Sequence, residues 1–146
     1  MKVQRLVPWF IRGVGALLIS LGLVHLAATP HIPGLLRGCP PAVYEQAVGP
    51  TLLNHVLVGI LLLPLGYTTW VAAAASARGE GWATRILIAN TIVFFTLPVS
   101  IGVFMLRPEY YTAPLFLAGT GLVALISLLM VVALYVLMKA SRRSKA

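Results

Sequence analysis

The sequence predicts an all-α integral membrane protein, folded as an antiparallel bundle of four transmembrane helices. Hydrophobic residues make up 60% of the 146 residues and charged residues only 10%, which is too apolar for a soluble domain of this length. Four runs without charged residues are long enough to cross a hydrocarbon core, for which about 20 helical residues suffice. Basic residues are also distributed unequally between the two ends of these runs.

The charge-free runs define the individual helices. They extend over residues 13–36, 46–77, 86–106 and 110–138. Prolines in the first two runs should shorten the regular helices there, because proline removes a backbone N–H and clashes with the preceding turn. We therefore expect one transmembrane domain covering residues 1–146, with spans at about 8–29, 51–76, 84–106 and 113–138.

The connection between spans one and two is longer than neighbouring membrane helices need, at about 20 residues from Pro30 to Pro50. Its segment 41–48 begins with a proline, which suits a first helical turn, and is followed by Gly49 and Pro50. We expect a short helix here that caps the extracytoplasmic end of the bundle. The other two connections are short, so consecutive spans should be antiparallel neighbours.

Charge placement predicts the orientation of the helices. The two termini and the connection between spans two and three share one side of the membrane. That side holds nine of the 11 cations: Lys2, Arg5, Arg12, Arg78, Arg85, Lys139, Arg142, Arg143 and Lys145. The other side holds only Arg37 and Arg107, so the positive-inside rule predicts cytoplasmic termini, as in a bacterial inner (plasma) membrane protein. The net charge of +8 is explained by the bilayer as partner and does not indicate nucleic acid.

The N-terminus could also be interpreted as a cleavable signal peptide, since Lys2 and Arg5 precede an apolar stretch. No pair of small residues sits cleanly before a plausible cleavage point. We therefore expect this stretch to remain as the first span.

Candidate site residues begin with the three histidines. His25 lies about a turn and a half inside the outer end of span one, and His55 lies at a similar depth in span two. His31 follows the end of span one. All three therefore belong to one membrane face, and the first two are at matching depths.

Each of the two deeper histidines shares a helix face with glycines. Steps of seven, three and four residues connect Gly15, Gly22, His25 and Thr29, and steps of four and seven connect His55, Gly59 and Gly66. Such steps keep to one stripe of an α-helix. Small residues mark the faces on which membrane helices approach closely. We therefore expect His25 and His55 to turn towards the bundle interior, where they could face each other.

Polar contact between helices is the simplest role for the pair. The imidazoles of His25 and His55 would hydrogen-bond to Thr29, Asn54 or a backbone carbonyl, contributing about 0.6 kcal/mol each.

A metal or haem site is the second interpretation. Neutral imidazoles on facing helices suit copper, iron or a bis-histidine haem b, and glycines would leave room for a flat ring. In that case Arg37 or Arg107 would pair with haem propionates, whereas Met105 or His31 would complete a copper site. His25, His31 and His55 are then the candidate metal ligands.

A quinone or lipid-like pocket is the third interpretation. A histidine or Asn54 would bind a carbonyl oxygen, and Tyr110 or Tyr111 would line the entrance.

Several functions are disfavoured by what the sequence lacks. No acidic residue lies within a span, although proton- and cation-coupled transporters commonly use a buried carboxylate. There is no Cys-x-x-Cys pair, glycine-rich phosphate loop, His-Glu-x-x-His or Gly-x-Ser-x-Gly sequence, so no redox dithiol, kinase or hydrolase is indicated and no catalytic residue is assigned.

The preferred hypothesis is a small redox- or metal-related membrane protein with a site at His25 and His55. The rival hypothesis is a structural or accessory subunit that packs against other membrane subunits or against copies of itself. An accessory subunit should carry a second stripe of small residues that points outward. Span four contains the residues to check: Gly119, Gly121, Ala124 and Ser127.

Overall fold

The computed structural model of the protein describes residues 2–104 and 114–143. Within these ranges the chain is all-helical and contains no strand. In chain order the elements are α1 (Lys2–Ala28), a 3-10 turn (Thr29–His31), α2 (Ile32–Leu36), α3 (Pro41–Ala77), α4 (Gly81–Phe104) and α5 (Pro114–Arg143).

Four helical stretches within the described ranges are long and apolar enough to cross a membrane. They are Leu6–Leu36, Pro41–Ala77, Gly81–Phe104 and Leu117–Lys139, and each overlaps one of the four predicted spans. Large apolar side chains cover their surfaces, as at Phe95 and Leu128, whereas Thr69 and Asn90 are buried. Large apolar side chains on the surface of long apolar helices suit lipid as the solvent, so the chain is an integral membrane protein.

The start of the second span differs from the expectation. Residues 41–48 are helical, but they continue without interruption into α3, so Gly49 and Pro50 do not end a separate helix. A proline inside a helix frees one carbonyl group, and membrane helices tolerate that loss when other groups are near. Between the first two long helices lie only the 3-10 turn, the short α2 and residues 37–40.

The chain divides into two compact units. One, the glycine unit, consists of residues 15–68. The other, the α4–α5 unit, combines residues 2–14 and 69–104 with residues 114–143.

In the glycine unit, α1 and α3 pack backbone against backbone. A Cβ atom added to Gly22 would lie 2.8 Å from the carbonyl oxygen of Gly59, and one added to Gly66 would lie 2.6 Å from that of Gly15. The numbering rises along α1 as it falls along α3, so the two helices are antiparallel. The glycines of α1, seven residues apart, thus lie against those of α3, which have the same spacing. Both predicted stripes are faces of close helix packing.

In the α4–α5 unit, buried residues recur every three or four positions. On α4 they are Ala83, Leu87, Asn90, Thr91 and Phe94, and on α5 they are Ile126, Ser127, Met130 and Ala133. This periodicity is typical of one helix face turned towards a neighbour. The Asn90 side-chain amide donates a 2.8 Å hydrogen bond to the Thr69 hydroxyl, which joins α4 to α3.

A proline in α4 explains the most specific contact between α4 and α5. Pro98 lacks the N–H that would donate to the carbonyl group of Phe94, four residues earlier. The Ser127 hydroxyl lies 3.0 Å from that carbonyl oxygen and donates to it. The same hydroxyl lies 2.8 Å from the Val123 carbonyl oxygen of its own helix, so its single proton is shared between two acceptors.

The turn between α3 and α4 contains an ion pair. Gly79 adopts φ +80°, a left-handed conformation that glycine reaches without steric cost. The Glu80 carboxylate accepts hydrogen bonds of 2.6 Å from Nε of Arg78 and from Nε1 of Trp82. These bonds lower the pKa of Glu80, with the Arg78 bond contributing most and the Trp82 bond next.

Candidate functional site: a histidine pair in the glycine unit

The glycine contact brings His25 and His55 together. His25 follows Gly22 by one turn on α1, and His55 precedes Gly59 by about one turn on α3. Their ring centroids are 4.6 Å apart, with 31° between the ring planes. Matching depths and glycine phase predicted this proximity from the sequence.

The local hydrogen bond of His25 defines its neutral tautomer. Its Nδ1 lies 3.0 Å from the carbonyl oxygen of Leu21, and a carbonyl oxygen only accepts hydrogen bonds. Nδ1 therefore carries the proton, and Nε2 of the neutral ring keeps its lone pair. Histidines that bind metals usually donate their other N–H in this way, to a backbone carbonyl or a carboxylate.

The opposite ring has an unsatisfied nitrogen. Nε2 of His55 is buried and has no hydrogen-bond partner among the described residues. Leaving a buried polar atom unpaired costs about 1–3 kcal/mol. In folded proteins, a buried polar atom without a protein partner is often bound by a water molecule or an ion.

The other site candidates lie apart from the ring pair or outside the described residues. Thr29 donates its hydroxyl to the backbone carbonyl of His25, at 2.9 Å, and so supports the helix end rather than the ring. Asn54 and His31 are exposed. Among the residues that the structure describes, no three His, Cys, Asp or Glu side chains form a group able to hold a metal, so His31 does not complete a three-ligand set. Arg107, Tyr110, Tyr111 and Met105 lie outside the described ranges.

The distance between the rings distinguishes two kinds of metal site. Imidazoles on opposite sides of a metal, with nitrogens about 2 Å from it, would have ring centres about 6 Å apart. Imidazoles at adjacent positions would have ring centres about 4.5–5 Å apart. The observed 4.6 Å fits adjacent positions on one ion and does not fit the axial ligands of a haem.

The glycines also fail to provide room for a haem. The space where side chains would project from Gly22 and Gly59 is filled by the facing helix, with Leu63 and Gly59 atoms at one glycine and Leu26 atoms at the other. These glycines allow close helix packing. The expectation that they would accommodate a flat macrocycle is therefore not met by the geometry.

Two features of the buried polar groups were not predicted from the sequence. The Leu21 carbonyl is a backbone acceptor, which any residue type could supply. Arg12 in the α4–α5 unit has a buried Nε without a hydrogen-bond partner in the described part of the chain, and its guanidinium lies 5.1 Å from the Trp9 ring centroid. The position of Arg12 within an apolar helix could have indicated its burial. The sequence analysis used its charge only to predict which side of the membrane is cytoplasmic.

Comparison with known proteins yields no relative. No family model matches the sequence, no curated protein matches it, and no solved structure matches the fold. The function must therefore be inferred from the geometry of the histidine pair.

Proposed function

We propose that this chain is a small membrane protein that binds a divalent transition-metal ion, with His25 and His55 as adjacent ligands. The observation that carries the proposal is the buried Nε2 of His55, which has no hydrogen-bond partner in the described part of the chain, in a ring 4.6 Å from that of His25. Metal binding would give this nitrogen a partner. The Leu21 carbonyl would hold the His25 ring with Nε2 available for the ion.

Polar contact between helices explains these facts less well. It predicts hydrogen bonds across the helix interface. The His25 bond, however, lies within its own helix, and Nε2 of His55 has no hydrogen bond to any residue that the structure describes. The gain from such contacts averages about 0.6 kcal/mol, which is less than the roughly 1–3 kcal/mol that an unpaired buried atom costs. A purely structural pair would therefore destabilise the unit.

The nature of the ligands favours copper. Imidazole nitrogens suit zinc, copper, iron and nickel, and divalent copper binds such sites most tightly among first-row divalent ions. Two protein ligands leave the remaining coordination positions to water or to an exchanging ligand. The proposed role is thus metal handling or redox chemistry at an open site, rather than a closed structural site.

The orientation proposed for this site is extracytoplasmic. Nine of the 11 cations belong to the end of the helices opposite the histidines, and the basic end of a membrane protein is normally cytoplasmic. A bacterial inner membrane with both termini inside is the corresponding location.

Copper binding by matched histidine variants tests the proposal. The protein, purified in mild detergent, is titrated with Cu²⁺ and examined by elemental analysis and electron paramagnetic resonance. We expect one ion per chain and hyperfine coupling from two nitrogens. His25→Ala and His55→Ala should each abolish binding, whereas His31→Ala, which alters an exposed histidine, should retain it. Equal binding by all three variants would refute the proposal.

A second candidate function, membership of a larger membrane assembly, is favoured by the outward face of α5. Ala118, Gly121 and Ala124 recur at steps of three residues and are exposed. A Cβ atom added to Gly121 would have no neighbour within 4 Å among the described residues. Stripes of this kind allow close approach of another membrane helix, from another subunit or a second copy. Ser127, in contrast, is buried against Phe94.

Oligomeric state tests this second function. Gly121→Leu should weaken association of the protein in detergent, as measured by native mass spectrometry. Val93→Ala, at an exposed position on α4 rather than α5, is the control and should leave association unchanged. Monomers in the wild type, together with no partner recovered after crosslinking in membranes, would contradict a role in assembly.

A further inference from the structure

An open cleft lies where α2 connects to α3, apart from the histidine pair. Its volume is about 330 Å³, and it is lined by Arg37, Cys39, Pro41, Tyr44 and Glu45. Ligand pockets in proteins range from about 300 to 1,000 Å³. The cleft is thus large enough for a small polar group and too small for a whole lipid.

The cleft contains opposite charges that do not neutralise each other. Arg37 and Glu45 both line it and both are exposed, yet the only ion pair among the described residues joins Arg78 to Glu80. A cation and an anion held apart in one cleft are complementary to a ligand that carries both charges. The aromatic ring of Tyr44 adds a surface that attracts cations.

The position of the cleft favours a membrane lipid as that ligand. The first membrane-spanning stretch ends at Leu36 and the second begins at Pro41. The cleft therefore lies at the short connection between these two stretches. With 37 residues, α3 is about 55 Å long, whereas the hydrocarbon core is about 30 Å thick. Glu45 in its first turns is the one charged residue of α3, so this end of α3 is the one that extends into the headgroup layer.

We infer that this cleft binds a zwitterion composed of a phosphate and a primary ammonium group, supplied by the headgroup of phosphatidylethanolamine. The Arg37 guanidinium pairs with the phosphate, as arginine does by forked hydrogen bonds. The Glu45 carboxylate accepts hydrogen bonds from the ammonium group beside the Tyr44 ring. The acyl chains remain in the bilayer, since the cleft is open.

Lipid retention by the full chain tests the inference. The protein in detergent is mixed with phosphatidylethanolamine, phosphatidylcholine or phosphatidylglycerol of identical acyl chains, and bound lipids are counted by native mass spectrometry. The wild type should retain phosphatidylethanolamine about tenfold better than phosphatidylglycerol, the effect of one charge-assisted hydrogen bond. Arg37→Gln should remove retention of both zwitterionic lipids. Glu45→Gln should reduce phosphatidylethanolamine to the level of phosphatidylcholine.

Matched controls and a soluble competitor complete the design. Arg78→Gln and Glu80→Gln make the same charge changes at the other end of α3 and should leave lipid retention unchanged. Equal retention of all three lipids by the wild type, or equal losses in the control variants, would overturn the inference. Displacement of the lipid by soluble phosphoethanolamine at equal concentration would overturn the lipid as the source and assign the same chemistry to a soluble ligand.

Discussion

At the scale of single residues, the glycines of α3 occupy two contrasting environments. Gly66 lies against the backbone of α1, whereas an added Cβ atom at Gly49 would meet nothing within 4 Å. Gly66→Ala should therefore destabilise the protein by about 1–3 kcal/mol through overpacking. Gly49→Ala should stabilise it by about 0.5–1 kcal/mol through helix propensity. Unfolding in mixed micelles measures both, and the same sign for the two variants would contradict the backbone contact.

His55 should behave unlike an ordinary structural polar residue. His55→Leu removes the buried unpaired nitrogen, so the metal-free variant should be as stable as the wild type or more stable, by up to about 1–3 kcal/mol. Copper at about 100 times its dissociation constant should stabilise the wild type by about 2.7 kcal/mol and leave the variant unaffected. Thermal unfolding with and without copper measures this. A metal-free variant that is clearly less stable would favour a structural role.

The proximity of the two histidine rings could be predicted from the sequence, but the hydrogen bonding of their ring nitrogens could not. Glycines at seven-residue steps constrain helix phase, and phase with depth predicted the ring proximity. The bond from His25 to the Leu21 carbonyl and the unpaired Nε2 of His55 depend on side-chain rotamers. Rotamers follow from packing after folding, and residue spacing carries no information about them.

At the scale of the helices, Pro98 and Ser127 should act as one unit. Ser127→Ala leaves the Phe94 carbonyl without its donor, which should cost about 1–2 kcal/mol. In a Pro98→Ala background the backbone N–H of residue 98 can bond to that carbonyl, so the cost of losing the serine should shrink. A double-mutant cycle of unfolding free energies measures the coupling. Equal costs in both backgrounds would show that the serine does not replace the missing bond.

The turn between α3 and α4 should make stability depend on acidity. The pKa of Glu80 is lowered in the folded state, by the Arg78 hydrogen bond first and the Trp82 bond second. The stabilising contribution is therefore present above the ordinary pKa of the carboxyl group and disappears as the pH falls through the lowered value. Glu80→Gln should show less loss of stability on acidification than the wild type. Identical acid profiles, measured by thermal unfolding, would contradict this role.

The length of α3 shows that a proline does not necessarily end a helix in a membrane protein. Pro50 was expected to separate a surface helix from the second span, yet α3 continues from Pro41 to Ala77. Proline penalises a soluble helix strongly, but in a membrane the alternative conformations leave more backbone groups unpaired. The identity of an interior proline therefore does not determine where such a helix ends.

At the scale of the whole molecule, orientation can be tested through the single cysteine. Cys39 precedes α3 and is partly exposed, so the proposed topology predicts modification by a membrane-impermeant maleimide from outside intact cells. A cysteine introduced by Ser144→Cys in a Cys39→Ser background should react only in inverted vesicles. The reverse pattern would refute cytoplasmic termini.

Composition and charge-free length were sufficient to predict a membrane protein with four spanning helices. Each long helix overlaps one of those runs, because only a hydrogen-bonded helix satisfies the backbone in lipid. The boundaries of the two compact units were not predictable in this way. They fall within α1 and α3, after Val14 and after Thr68, where the sequence shows no change of composition or break in the helix.

Because Gly22 and Gly59 are in backbone contact, the distance between α1 and α3 determines the distance between the His25 and His55 rings. Pulling α1 and α3 apart by about 1.5 Å would carry the ring centres from adjacent-ligand towards opposite-ligand separation. A membrane helix accommodates a bilayer of different thickness by tilting or kinking. Copper affinity should therefore vary when the protein is placed in bilayers of different acyl-chain length. The histidine pair would then make metal binding depend on the thickness of the membrane.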